Sequence, residues 1–307
     1  PDDPMKGAGG RRRQRRQLGA LFALWGIGKR LAKAHAETLA RVAAFRRQPL
    51  DAMDDEQLRS LLQGWREYGI PLTHLFQFAN SDAGVWLKFA RDLLTRLDPE
   101  GGEALLGRLL AAGGEMPSAQ ALYELHALAA IHDPVARSWL QARREGDPEA
   151  LRHGWQELPD DSPFRAAFAD YLDRYGHRSL NETELANPRW HEDPGYLLHE
   201  VAQLIAAPDN DTSGRARERR LEAERDIRQL PWWSRPLVRT LAARTRRGMA
   251  RRETGKSLTV AVLEPLRHIA MEAGRRLRER GMLERPEQVF QLALPDLDSL
   301  LAGTWDG

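Results

Sequence analysis

In Phe164-Arg165-Ala166-Ala167-Phe168-Ala169-Asp170-Tyr171-Leu172-Asp173-Arg174-Tyr175-Gly176 the large apolar side chains return after four, three, one and three residues. That is the spacing of one buried face of an α-helix, and nothing in it alternates as a strand would. Gly176 stands where a helix favours a left-handed end, so His177 and Arg178 are expected just beyond a helix terminus. Upstream, the same spacing runs from Asp51 to Tyr175. Asp54-Asp55-Glu56 opens a helix whose buried face is Leu58, Leu61, Leu62 and Trp65, and Tyr68-Gly69-Ile70-Pro71 is predicted to end it. A second helix is predicted from Ser81 to Leu97. Leu105 to Leu110 follow as a short helix stopped by Gly113-Gly114, Ser118 caps Ala119 to Ile131, and Asp133-Pro134 starts the next.

Downstream, Ser179 to Pro194 is polar, carries Pro188 and Pro194, and lacks helical period, so it reads as an ordered loop. Pro208 to Gly214 consists almost wholly of turn formers and reads as a linker. Beyond it, Arg215 to Leu230 and Leu237 to Arg280 are helical and Arg-rich. Leu258, Val262, Leu266, Ile269, Ala273 and Leu277 form a buried stripe in the second, Pro265 is expected to kink it and Gly281 to close it. The fold class is therefore all-α, with at most one or two short strands near the C-terminus, Val289 to Leu294 being the candidate. Three regions follow: a basic amphipathic N-terminal helix in 1–47, a helical lobe over 48–210 ending in the motif loop, and a basic long-helix lobe over 215–302.

With 42% hydrophobic and 29% charged residues the chain has an ordinary globular composition, which excludes wholesale disorder and a membrane-embedded protein. It contains no cysteine, which excludes disulfides, thiolate chemistry and Cys-based zinc sites and is compatible with a cytoplasmic location. The net charge of +2 conceals segregation: residues 1–50 carry +9, 51–210 carry −13, 211–285 carry +10 and 286–307 carry −4. Such blocks serve either to pair lobes or to attract an anion. Arg11 to Arg16 before Leu18–Ile27 imitates a signal peptide, but the apolar run is far shorter than the ~20 residues of a membrane span. Leu18, Leu21, Phe22 and Trp25 instead mark one helical face. No zinc finger, aromatic RNA-stacking motif or reading helix is present, so nucleic acid is not an expected partner.

The segment Tyr175-Gly176-His177-Arg178 … Glu182 … Glu184-Leu185 … Pro188-Arg189-Trp190 … Glu192-Asp193-Pro194 resembles the Y-G-H-R-G … E-x-E-L … P-R-W-x-E-D-P block of rifampicin phosphotransferases and related phosphoenolpyruvate-synthase-like proteins. Arg252-Glu253-Thr254-Gly255-Lys256 is similar to the family's R-E-x-x-K helix, and Gly281 … Val289-Phe290-Gln291-Leu292 … Asp296-Leu297 resembles its ending. Weaker similarity through Leu109 to Leu128 extends the likeness over most of residues 50–302. Ser179 departs from the family's usual glycine.

The resemblance implies three modules: an ATP-grasp domain, a helical acceptor-binding domain, and a swivelling domain whose histidine is phosphorylated by ATP and passes the group to a hydroxyl of a small-molecule acceptor. Only the acceptor-binding module is recognisable. No cofactor is expected on this chain, because ATP and Mg belong to the partner domains. No glycine-rich nucleotide loop appears, and none of the nine histidines has the swivel-domain context.

Within that frame, Arg252 and Lys256 stand at i and i+4 on a helix, so both cations point one way and suit a phosphoryl group in flight; a solvated basic face is the alternative. His177 is the candidate general base, or else a loop anchor bonded to Glu182 or Glu184. Arg178, Glu182, Glu184, Arg189, Trp190 and Glu192 are the candidate acceptor-binding residues. Trp190, Trp232 and Trp233 either wall an apolar pocket or pack in a core. His191-Glu192 and His199-Glu200 match no standard zinc spacing, and no metal site is expected.

Overall fold

The computed structural model describes residues 26–111, 117–144, 149–152, 154–206 and 212–305. The expected N-terminal face of Leu18, Leu21, Phe22 and Trp25, the Gly113-Gly114 stop and most of the 208–214 linker lie outside them. Helix accounts for 77% of the structure, and among the described residues there is no strand. The all-α expectation holds. In place of the expected strand, Val289 lies in a 3₁₀ turn, Pro286–Gln291. Pro286 and Pro295 remove backbone donors on either side, and Val289 is buried against the helix bearing Gly274 instead of pairing edge to edge.

The helix α1 (Ile27–Phe45) precedes α2 (Asp55–Leu97). A capping box starts α2: the Asp54 carboxylate accepts from the Gln57 amide at 2.8 Å, and the Gln57 side chain accepts from the Asp54 amide at 2.9 Å. Contrary to the expected break at Pro71, α2 continues for 43 residues. An interior proline removes one hydrogen bond and costs ~3 kcal/mol, so something outside the helix must offset it. The short helices α3 (Gly102–Ala111), α4 (Pro117–Ala130), α5 (Pro134–Ala142) and α6 (Glu149–Arg152) follow. The fourth begins two residues before the expected start, at Pro117, since a proline in the first turn sacrifices no bond. Asp133 caps α5 as expected, through the Ala136 amide at 2.9 Å.

After α7 (Pro163–Tyr175) come the motif loop, α8 (Gly195–Ala206), α9 (Thr212–Gln229), and α10 (Arg235–Glu279), 45 residues long with Pro265 inside it. Gly281, at φ +74°, closes α10 as expected. The C-terminal α11 (Leu294–Ala302) completes the chain.

The partner that keeps α2 whole is α10, antiparallel to it. A β-carbon on Gly248 would stand 2.9 Å from Ala83 Cα, one on Gly255 3.1 Å from Phe76 Cα, and one on Gly69 3.2 Å from a Val262 methyl. Each contact lies seven residues from the next along both helices. Two further heptads on, the Arg276 guanidinium meets Asp55 at 2.9 Å. This seven-residue register is that of helices crossing at roughly 20°, with small residues admitting close backbone approach.

Leu58, Leu62 and Trp65 of α2 share one core with Ala261, Ile269 and Leu277 of α10, Val42 of α1 and Leu300 of α11. That core draws residues from both sides of the 208–214 stretch. A second core, built on Leu125, Leu140, Phe168, Tyr171 and Leu198, unites α4, α5, α7 and α8 and carries the motif loop.

Candidate functional site

The motif loop leaves α7 at Gly176, whose φ of −61° is right-handed and not the expected left-handed end. Its lack of a side chain serves close approach: a β-carbon there would meet the Leu172 carbonyl oxygen at 2.3 Å and His191 Cβ at 3.0 Å. Two backbone bonds close the loop's neck, His191 N to Gly176 O at 2.9 Å and Trp190 N to Arg178 O at 2.8 Å.

Inside, Arg189 is fully buried. It donates to Ser179 Oγ at 3.0 Å, to the Glu182 carbonyl at 2.9 Å and to the Glu184 carbonyl at 3.1 Å. Burial, then the field of Arg267, pushes its pKa down. The serine in the family's glycine position is thus a ligand of the clamp. From α10, Arg267 donates to the Leu185 and Ala186 carbonyls at 3.0 and 2.7 Å and to both oxygens of Glu192 at 2.9 Å. His268 adds a contact to Glu192 at 3.2 Å. Burial opposes ionisation of Glu192, but His268 and Arg267 outweigh it and hold its pKa down. The loop is therefore bolted to α10 through backbone carbonyls and one ion pair.

Arg267 and Glu264 escaped the sequence reading. Glu264 is wholly buried and takes both oxygens to Arg46 at the end of α1, at 2.6 and 3.0 Å. Their signal was present: two charged residues one and two positions off an apolar stripe, in a helix buried on several sides.

On the exposed side of this frame stand the candidate cations. Lys256 Nζ meets Glu182 Oε2 at 2.7 Å, and Arg178 Nε meets Glu182 Oε1 at 2.5 Å. Burial would raise the Glu182 pKa, yet the hydrogen bonds from Lys256 and Arg178 hold it below the usual carboxylate range. Arg252 turns toward α2, donating to Asn80 Oδ1 at 3.1 Å and to Glu253 Oε1 at 2.9 Å. Asn80 was not anticipated, because it lies 172 residues away in sequence.

His177 bonds to neither Glu182 nor Glu184. It is buried, its Nε2 lies 3.5 Å from Ser257 Oγ, and its Nδ1 has no partner. Burial, then the fields of Arg178 and Arg46, pushes its pKa down to about 3. The imidazole is thus a neutral group beneath Lys256-Ser257. Glu184 is exposed and accepts from the Ala186 amide at 3.0 Å. Trp190 packs on the second core with the Arg178 guanidinium 5.8 Å from its ring centre. Trp232 and Trp233 are 78% and 59% exposed, so they wall no pocket. Among the described residues no group of three or more carboxylates and histidines could hold a metal ion, and no helix is long and apolar enough to cross a membrane.

The furrow between α2 and α10 opens into a cavity of about 610 Å³ lined by Arg66, Ile70, Thr73, Thr259, Val262 and Leu266 among others. It contains no residue of the motif loop, but its place in the register is close. Thr73 and Thr259 each lie seven residues from the Asn80–Arg252 contact, so they occupy the same faces of the two helices two turns away. Both helices carry their interior proline, Pro71 and Pro265, along this stretch.

Residues 77–253 match the family described as the rifampicin phosphotransferase fourth domain. An uncharacterized protein of Mycobacterium tuberculosis is 31% identical over 198 residues, 62% of this chain and 20% of its own length. The prodigiosin synthesizing transferase of Serratia marcescens is 31% identical over 144 residues, 43% of this chain and 16% of its own. The rifampicin phosphotransferase of Streptomyces sviceus is 26% identical over 155 residues, 47% of this chain and 18% of its own. The chain thus spans about a fifth of the length of these relatives. The matched region contains the whole motif loop and ends at Glu253, three residues before the lysine that reaches that loop. With more than half of its residues inside the match, the chain belongs to the rifampicin phosphotransferase fourth-domain family.

Proposed function

We propose that this chain is the acceptor-binding module of a phosphoenolpyruvate-synthase-like phosphotransferase, working with ATP-grasp and phosphohistidine modules in cis or in trans. Those modules bind ATP and Mg and deliver a phosphoryl group on a histidine. This module holds a small molecule whose hydroxyl receives it. The observation that carries the reading is the placement of the Arg252 end of the cation cluster and the 610 Å³ cavity along one furrow. An acceptor with an apolar body seated among Ile70, Val262 and Leu266 would extend its hydroxyl toward Arg252 and Lys256. Cations there would stabilise charge on the transferring group, where most of the catalysis of phosphoryl transfer resides. Arg178 joins them across Glu182. Arg189, Glu192 and His177 act as positioning residues, since the first and last are buried and the second is bound to Arg267.

A module that binds without chemistry is the second reading. It is favoured by one observation, that the cations already have partners within the chain. The test is ATP-dependent transfer to a panel of apolar hydroxylated acceptors, mixing this chain with ATP-grasp and phosphohistidine modules encoded at its own locus. Arg252→Ala and Lys256→Ala should each lower the rate on the order of 10²-fold, the magnitude of losing one donor to a developing charge. Rates unchanged in both variants, or transfer that proceeds without this chain, would discard the proposal.

A further inference from the structure

We propose that Glu182 is the built-in counter-anion of a phosphoryl site whose cations are Arg178 and Lys256, its carboxylate holding the place that an incoming phosphoryl group takes. The inference deepens the proposed function and rests on that reading only for the origin of the phosphoryl group.

The two cations come from different elements, the loop and α10. Each takes a different oxygen of the same carboxylate, at 2.5 and 2.7 Å. Converging donors on neighbouring oxygens also suit a phosphate, which offers three oxygens and a charge of about −2 against one negative charge for a carboxylate. Arg178, Lys256 and Glu182 together carry one net positive charge, and Arg252 stands one turn from Lys256 on the same helix face. An arriving dianion is therefore attracted, and Glu182 gives way to it.

The main chain permits this exchange. The Glu182 carbonyl is held by Arg189, which also grips Ser179 and the Glu184 carbonyl. The side chain can swing without loosening the loop. Access is from the Lys256 side, where the lysine side chain is 39% exposed against 16% for Arg178 and 11% for Glu182. Before the anion arrives, Glu182 keeps two adjacent cations from repelling one another and excludes singly charged anions, which compete poorly with a carboxylate already in place.

The experiment is calorimetric titration of the whole chain with inorganic phosphate at constant ionic strength, in wild type and Glu182→Gln. The glutamine keeps the side chain's shape and removes its charge, and phosphate should bind at least tenfold more tightly to the variant. Lys256→Gln added to Glu182→Gln should abolish that gain. Should Glu182→Gln fail to fold by circular dichroism, Glu182→Ala replaces it: it too removes the competing negative charge, and the same tightening is expected. A folded variant that binds phosphate no more tightly than wild type makes Glu182 a structural bridge and overturns the inference. Tightening without phosphoryl transfer would retain the anion site and reject the transferase reading, and transfer without tightening would do the reverse.

Discussion

At the scale of single residues, buried charge in this protein is met either by an opposite charge, as at Glu264, or by neutral acceptors, as at Arg189, and the consequences of removing a partner differ. Glu264 is wholly buried and its two oxygens both go to Arg46. Arg46→Ala leaves that carboxylate without its partner, a loss of ~3–5 kcal/mol for a broken buried pair, to be read by urea denaturation. His177 behaves in the opposite way, being buried without a counter-charge. Its pKa falls from 6.5 to about 3 in the folded protein, so between those values the unfolded chain binds more protons. Its contribution to stability is full above pH 6.5 and is lost as pH falls toward 3. Denaturation midpoints measured from pH 7 to pH 4 should decline, and the decline should be shallower in His177→Gln. His35 and His191, also shifted down first by burial, and the carboxylates held down by their cations, Glu182 and Glu192 among them, supply the slope that remains. A midpoint that rises on acidification would show that His177 finds a carboxylate in solution.

At the scale of elements, the α2–α10 pair shows how packing overrides local preference. Pro71 and the glycines beside it argue against a continuous helix, yet α2 runs through them because α10 meets it every seven residues. Two glycine substitutions separate the local and the nonlocal effects. Gly64 lies in α2 with open space where a β-carbon would go, so Gly64→Ala should stabilise by ~1 kcal/mol, the helix-propensity difference. Gly248 faces the Ala83 backbone, and Gly248→Ala would place a β-carbon 2.9 Å from Ala83 Cα. There the gain in propensity is outweighed by separation of the helices, and thermal melting should show a lower midpoint. Equal shifts in both variants would mean that the helices are not in contact at Gly248.

At the scale of the molecule, the first core is assembled from α1, α2, α10 and α11, the two ends of the described chain. Residues 48–210 expressed alone would expose Leu58, Leu62 and Trp65, which α10 and its neighbours cover. That fragment should show reduced helicity and, with only the second core intact, a melt well below that of the whole chain by circular dichroism. Helicity and a midpoint equal to those of the whole chain would establish it as an independently folding lobe. The same closure creates the geography of the candidate site, because the motif loop belongs to the second core while Lys256, Ser257 and Arg267 belong to α10.

The sequence by itself determined the helical class, the faces of α7 and α10, the helix starts at Asp54-Asp55-Glu56 and Asp133-Pro134, the end of α10 at Gly281, and the grouping of His177 to Glu192 in one loop. All of these rest on spacings within a few turns, where periodicity and capping chemistry act. Only the tertiary structure decided the rest: that α2 passes through Pro71, that Gly176 serves close approach to His191, and that Val289 packs as a 3₁₀ turn. It also decided that His177 meets Ser257 and no carboxylate, and that Lys256 shares Glu182 with Arg178. Each of these depends on pairing between residues distant in the chain, whose energy outweighs local preference and leaves no period in the sequence.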